Sequence, residues 1–514
     1  MKHSKGAVAC GHQGTAETAV EVLRAGGNAA DACIAAFFSA CLFEPVLASL
    51  GGGGFAMCRM NNQSPSLLDF FTQTPLLKRP PEELDFERVT VDFGGAYQDF
   101  HIGLGAAATP GAVRGVFELH RRYASMPMTE LIKPALDKAR DGVTICDLQG
   151  FILKVVEPIY ISRQSARDLF ASRIEPQRVI RPGETVRFDA LCAFIEALAH
   201  EGEDLFYCGE VAKVIDAECR NRGGSLRRQD MQQYEAHWRE PLTTKFREGR
   251  VWLNPPPCAG GVLILFALML LRSEPALNDP ADYYKTLADV MQLTNEMRLA
   301  ECHDERPWPD IDKLLGESFV DPYLKQLNRR ALAFRGTTHI SVVDASGSMV
   351  GMTVTNGEGC GEITPQTGIM FNNMLGEEDL NPAGFHRWPV NTRMSSMMSP
   401  TLIEYNGNTR VMLGSGGSNR IRTALLQVIV QLLDLDQNLV EATLSPRMHL
   451  EGDTLNIEGG VPKACIDALK AKYPNINMFD GRNLFFGGVH SVMMRGDTFD
   501  GAGDPRRAGV FLTA

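Results

Sequence analysis

The sequence predicts an α+β fold in which stacked, mainly antiparallel sheets lie under helices. Three observations point there. Helical periodicity dominates the first 300 residues, while alternating strands and hairpin turns dominate after residue 337. Hydrophobic residues make up 44% of 514, enough to cover more than one sheet. Within the strand-rich part a long helical stretch, 420–433, interrupts the hairpins, as a layer packed on a sheet would.

In chain order, residues 15–43 read as two helices. The first ends at Gly26-Gly27, and Asn28 or Asp31 starts the second. "GGGGF" (51–55) leads into the strand-like "FAMCRM". Helical patterns recur at 128–141, 189–200, 210–222 and 281–301. The apolar run Val262 to Leu271 is too short to span a bilayer and reads as a buried helix. Residues 310–335 are polar and aperiodic, as expected of an exposed segment. Then "THISVVD", "ASGS" and "MVGMTVT" form a hairpin. "TPQTGIMFNN", "SPTLIEYNGNTRVMLG" and "DTLNIEGG" continue the strand pattern, with Asn406-Gly407 as a hairpin turn.

A net charge of −11 argues against a general nucleic-acid binder. Twelve cysteines without a CxxC pair read as reduced thiols rather than a disulfide frame. "ECHDER" (301–306) crowds ligand types, but adjacent side chains diverge, so no metal or other cofactor is expected. The first residues lack the apolar core of a signal peptide, which predicts a cytoplasmic protein without a membrane partner.

The chemistry concentrates at "FRGTTHISVVDASGSMVGMTVTNGEGCG", 334–361. A threonine hydroxyl needs a base. If the Gly336–Thr337 bond is cut, Thr337 gains an α-amine of pKa about 7.7–8.0, and one residue then carries nucleophile and base. Gly336 minimises crowding at the bond to be cut. A hairpin loop over 344–348 pairs Val343 with Met349 and sets Thr355 opposite Thr337; a slip of one residue would bring Val354 there instead. Strand threonines of high β propensity are the plainer account of Thr337, Thr338 and Thr355. "GSGGSNR" (414–420) joins a strand to a helix, where backbone N–H groups of Gly416 and Gly417 can hold an oxyanion. "RMSSMMSPT" (393–401) offers the paired hydroxyls of Ser395 and Ser396 for substrate contacts. Cys360 lies in a glycine-rich loop, but no histidine is placed beside it. His339 shares a face with Thr337 by alternation and is assigned a structural hydrogen-bonding role.

Together and in order, these stretches resemble the γ-glutamyltranspeptidases, members of the N-terminal-nucleophile hydrolases. Also matching are "EVLRAGGNAADACIAA", "FEPVLASLGGGGF", "TPGAVRGVFELHRRY", "DLFYCGEVA", "GGSLRRQDM" and "NPPPCAGGV". The resemblance implies a four-layer αββα fold and autocatalytic cleavage of a zymogen before Thr337. A large piece, 1–336, and a small one, 337–514, would form one intertwined unit. It implies Thr337 as nucleophile, Thr355 as its hydrogen-bond partner and Gly416/Gly417 as oxyanion glycines. Ser395 and Ser396 would contact the donor's α-carboxylate. Glu377 would grip its α-amine. Asn356, next to the family's asparagine position, is kept as a further candidate substrate contact, although strand alternation points it elsewhere. A γ-glutamyl donor such as glutathione, or another amide, would pass its acyl group to water or an acceptor amine; a homodimer is allowed for.

Three departures stand out. "DFFTQTP" puts Phe71 where the family has a carboxylate-binding arginine. Gly357 replaces an asparagine that helps with the amine, and "PPPCAGG" replaces "PPPSSGG". The catalytic end is kept and donor recognition is altered. Two alternatives follow: an acylase of the same superfamily acting on a non-glutamyl amide, and an unprocessed homologue serving as a binding or structural protein.

Overall fold

A computed structural model of the chain describes residues 4–301 and 336–514, apart from 93–96, 273, 276, 278 and 382. The 310–335 segment and "ECHDER" beyond Glu301 lie outside the described residues.

Two large sheets carry the molecule. Their strands are β1 (Gly6–Cys10), β2 (Gly53–Arg59), β3 (Ser66–Phe70), β4 (His237–Arg239), β5 (Leu242–Phe246), β6 (Gly249–Leu253), β7 (Thr338–Asp344), β8 (Met349–Thr355), β9 (Thr401–Tyr405), β10 (Thr409–Gly416), β11 (Gly488–Arg495), β12 (Thr498–Ala502) and β13 (Val510–Thr513). The first sheet runs β13-β1-β7-β8-β2-β3-β4 and the second β12-β11-β10-β9-β6-β5, each paired antiparallel throughout. The sheets face each other through β7 and β8 on one side and β10 and β11 on the other.

Helices α1 (Gln13–Arg24) and α2 (Ala29–Phe43) cover the first sheet. Helices α3 (Ala259–Arg272), α4 (Pro280–Glu301) and α5 (Arg420–Leu433) lie on the side of the second, with α3 and α5 packed on its strands. The layers are therefore αββα, as expected. The reason is alternation: Val8 and Cys10 join the core under α1 and α2, whereas Ala7 and Ala9 face the other way and join the core of the second sheet.

Local signals set the boundaries. Asn28 caps α2, accepting from the N–H groups of Ala30 (2.8 Å) and Asp31 (3.0 Å), while Asp31 accepts from the Asn28 N–H at 2.8 Å. Gly26 turns the chain before it with φ of +99°. The apolar run in α3 is wholly buried, and no helix among the described residues is long and apolar enough to cross a membrane. Two of the expected strands stand apart from the large sheets. "TPQTGIMFNN" yields only a two-residue ladder, Ile363–Thr364 with Ile369–Met370. Thr454–Ile457 belongs to a small three-stranded sheet. Strand propensity is local at both places, but the partners that a strand finds are a tertiary matter.

Candidate active site

The hairpin places Thr337, the expected nucleophile. β7 and β8 pair from Val343 with Met349 to Thr338 with Val354, so the next step of the same register sets Thr337 against Thr355. Glycines hold that end of the sheet close: a Cβ on Gly52 would lie 2.3 Å from the Thr355 carbonyl oxygen.

The carbonyl of the Gly336–Thr337 peptide bond and the N–H of Gly336 are both held. The Gly336 carbonyl accepts from the Thr337 hydroxyl at 2.7 Å and from the Thr355 hydroxyl at 2.6 Å. Thr355 Oγ1 in turn accepts from the Gly357 N–H at 3.0 Å, which fixes its proton toward the carbonyl. The Gly336 N–H donates to Glu358 Oε1 at 2.7 Å. Two hydroxyl donors on one carbonyl polarise it, and one of them is the hydroxyl that would attack it. Thr337 is only 4% exposed, so these interactions act away from bulk water.

The glycine loop abuts this bond. A Cβ at Gly416 would lie 2.0 Å from the Thr337 carbonyl oxygen, and Gly417 has φ of +122°. No side chain fits at 416 without backbone movement. The loop reaches the cleft itself at Ser418, just before α5.

A cleft of about 460 Å³, open to solvent, contains Thr337, Thr355, Glu377, Ser395, Ser396 and Phe71. The serine pair is pinned from behind. The Gly260 N–H donates to the Ser396 carbonyl at 3.0 Å, and the Cys258 thiol lies 3.0 Å from the same carbonyl and 2.9 Å from that of Met398. Burial pushes the Cys258 thiol up to about 12, so it stays protonated and donates as a hydroxyl would. This accounts for cysteine in "PPPCAGG".

The other departures also have packing reasons. A Cβ on Gly357 would fall 2.2 Å from both Glu377 Oε1 and Asn373 Oδ1; those two side chains fill the space that a larger residue would need. Phe71 is buried and stacked on Phe55 at 5.6 Å between centroids. Its carbonyl accepts from the Tyr234 hydroxyl (2.7 Å) and from Arg393. Arg393 lies behind this wall, bonded also to the Glu235 carbonyl and 3.7 Å from Asp69. Among the described residues no lysine or arginine lines the cleft.

Asn356 is not brought to the cleft. It follows Thr355 by one residue and faces the other way, and its side-chain amide donates to the Phe371 carbonyl at 3.5 Å. His339 lies on the inter-sheet face with Thr337, between Thr353 Oγ1 (2.7 Å) and Ser341 Oγ (2.8 Å). Burial first, and His490 second, hold its pKa well below the usual histidine value, so it is neutral and structural. Cys360 faces a separate pocket, and burial raises its thiol to about 12.

Three residues escaped the sequence reading. Glu358 sits inside "TVTNGEGCG", yet nothing local marks it as the partner of Gly336. Asp379 enters the cleft and accepts from Ser418 Oγ and Asn419 Nδ2, both at 3.2 Å. Arg507 reaches the Thr337 carbonyl at 3.5 Å from 170 residues away. Only folding brings them there.

Relatives of the chain are recognisable in sequence and in fold. The gamma-glutamyltranspeptidase family model matches residues 15–514. A glutathione hydrolase proenzyme of Escherichia coli (strain K12) is 28% identical over 98% of this chain and 91% of its own. An acylase ACY 1 proenzyme of Pseudomonas sp. (strain V22) is 27% identical over 91% and 87%. In fold, the crystal structure of cephalosporin acylase from Bacillus halodurans superposes with a TM-score of 0.86 over 99% of this chain and 96% of that one, at 23% identity. The chain is thus an enzyme of the gamma-glutamyltranspeptidase family, in the N-terminal-nucleophile hydrolase fold.

Proposed function

We propose that the protein cuts itself between Gly336 and Thr337 and then acts as an N-terminal-threonine amidohydrolase. The observation that carries this reading is the Gly336 carbonyl held by the Thr337 and Thr355 hydroxyls. In the first reaction Thr337 Oγ1 bonds to the Gly336 carbonyl carbon and the peptide C–N bond breaks. Water then hydrolyses the resulting ester, leaving pieces 1–336 and 337–514, the second with a free α-amine.

In turnover that amine takes the Thr337 hydroxyl proton as the oxygen attacks a substrate amide, and gives it to the departing amine. The developing oxyanion lies at the Gly416/Gly417 backbone. Water or an acceptor amine resolves the acyl-enzyme. Glu377, with Ser395 and Ser396, supports a γ-glutamyl donor, because a carboxylate and two hydroxyls line the cleft beside the nucleophile.

The acylase reading draws on Phe71 and on the absence of a cation among the described residues of the cleft. A charged α-carboxylate has no guanidinium partner there. Comparing a γ-glutamyl anilide with a glutaryl anilide separates the two donors. Intact mass spectrometry tests the shared reaction: two fragments from the wild type and one chain from Thr337→Ala are expected. A wild type that stays whole after long incubation overturns it.

A further inference from the structure

For the Thr337 hydroxyl to reach the Gly336 carbonyl carbon, Gly336 has to stay in place, and a glycine has no side chain to anchor it. Its backbone groups are held instead, one at each end of the residue. The carbonyl accepts from the Thr337 and Thr355 hydroxyls, and the N–H donates to Glu358 Oε1 at 2.7 Å.

Glu358 is itself fixed by a turn. Past Thr355 the Gly359 N–H donates to the Asn356 carbonyl at 3.2 Å. Gly357 and Gly359 take φ of +64° and +84°, angles that glycine adopts without a Cβ penalty. Between these glycines Glu358 is 2% exposed, and its own N–H donates to Asn373 Oδ1 at 2.9 Å. The Gly357 N–H donates to Thr355 Oγ1 at 3.0 Å. Two consecutive residues of one turn thus secure both ends of Gly336, Gly357 through Thr355 and Glu358 directly. The carboxylate also shares a cavity of about 400 Å³ with Arg507, whose Nη1 reaches the Thr337 carbonyl at 3.5 Å. Opposite charges therefore meet the two residues that flank the bond, one each, and their attraction offsets the cost of burying both.

We propose that Glu358 is a positioning residue for self-cleavage: its side chain holds the Gly336 N–H so that the carbonyl carbon stays within reach of Thr337 Oγ1. In that step the bond from Oγ1 to the carbonyl carbon forms and the C–N bond to Thr337 breaks. The hydroxyl proton ends on the Thr337 nitrogen. Glu358 forms no bond and exchanges no proton; it acts through Gly336. The inference rests on the proposed cut before Thr337 and deepens it by naming what fixes the acyl side of the bond.

The test times the appearance of the 337–514 piece on denaturing gels, using full-length chain made by cell-free synthesis and circular dichroism to check the fold. Glu358→Gln keeps an acceptor oxygen; Glu358→Met keeps the length and removes it. Both remove the charge opposite Arg507, so a role confined to burying Arg507 would affect them equally, and only the acceptor tells them apart. Glu358→Met is expected to cleave about 10 to 100 times more slowly than the wild type, the range of a hydrogen bond to a charged group that sets the attack geometry. Glu358→Gln should recover to within about fivefold, because a neutral acceptor restores most of the bond. A wild type that cleaves while Glu358→Met is slowed less than about tenfold overturns the proposal and leaves the amidohydrolase reading intact. So does a Glu358→Gln no faster than Glu358→Met. Should Glu358→Met not fold, Glu358→Asp, which withdraws the acceptor by one methylene, takes its place. Slowing by about fivefold or more then supports the proposal, and less overturns it. If the wild type itself stays whole, the cleavage reading fails and this proposal with it.

Discussion

A single buried carboxylate beside the proposed nucleophile shows how a residue's environment becomes a property of the protein. Glu44 accepts from the Thr338 hydroxyl at 2.7 Å and the Thr15 hydroxyl at 3.0 Å. Burial raises its pKa from 4.5 to about 7, although both hydroxyls lower it. The folded state thus keeps a proton that the unfolded chain loses between those values. Its contribution is fully present below about 4.5 and is lost as pH rises through 7, up to about 3 kcal/mol. Glu44→Gln should flatten the urea midpoint over that window; an unchanged slope would show that Glu44 is not its source. Thr355 acts at the same scale. Removing its hydroxyl takes one donor from the Gly336 carbonyl, worth about 1 kcal/mol, so Thr355→Ala should slow self-cleavage roughly fivefold to tenfold. A time course on denaturing gels reads this directly, and Thr355→Ser should recover most of the rate.

Elements translate such contacts into position. The Ser395-Ser396 loop belongs to no regular element and is held by α3 through Gly260 and by the Cys258 thiol just before it. Cys258→Ser keeps a donor at that point and should leave kcat/KM nearly unchanged. Cys258→Ala removes one donor from carbonyls that keep the Gly260 N–H and the Asn254 amide, a loss of about 0.5–1.5 kcal/mol, and should lower kcat/KM and the melting temperature modestly and together. Equal behaviour of the two variants would remove the thiol from the argument. The strand end at Gly416 tolerates less. Its Cβ position is occupied by the Thr337 carbonyl, backbone against backbone, so Gly416→Ala should abolish cleavage even where circular dichroism shows the fold retained.

For the whole molecule, the consequence of cutting depends on how the two pieces are woven. In the first sheet β1 sits between β13 and β7, and β8 pairs with β2; in the second, β6 pairs with β9. Each of these ladders joins a strand from 1–336 to one from 337–514. Separating the pieces would expose edges in both sheets and the core between them. Cleaved protein should therefore elute at the volume of the uncut Thr337→Ala chain, about 56 kDa, and part only in denaturant. Dissociation in native buffer would contradict this topology.

The sequence by itself determined what is local or periodic. It set the caps of α2, the burial of α3, the span of α5, the hairpin register that brings Thr355 to Thr337, and, through resemblance, the family. Those signals depend on neighbours within a few residues or on a repeat of 2 or 3.6. Only the tertiary structure decided which groups face the nucleophile from a distance. Glu377 filled the space left at Gly357. Asp379, Glu358 and Arg507 arrived from loops whose composition marks nothing. Burial and charge at the site depend on distances between segments far apart in sequence, and those distances exist only once both sheets are packed.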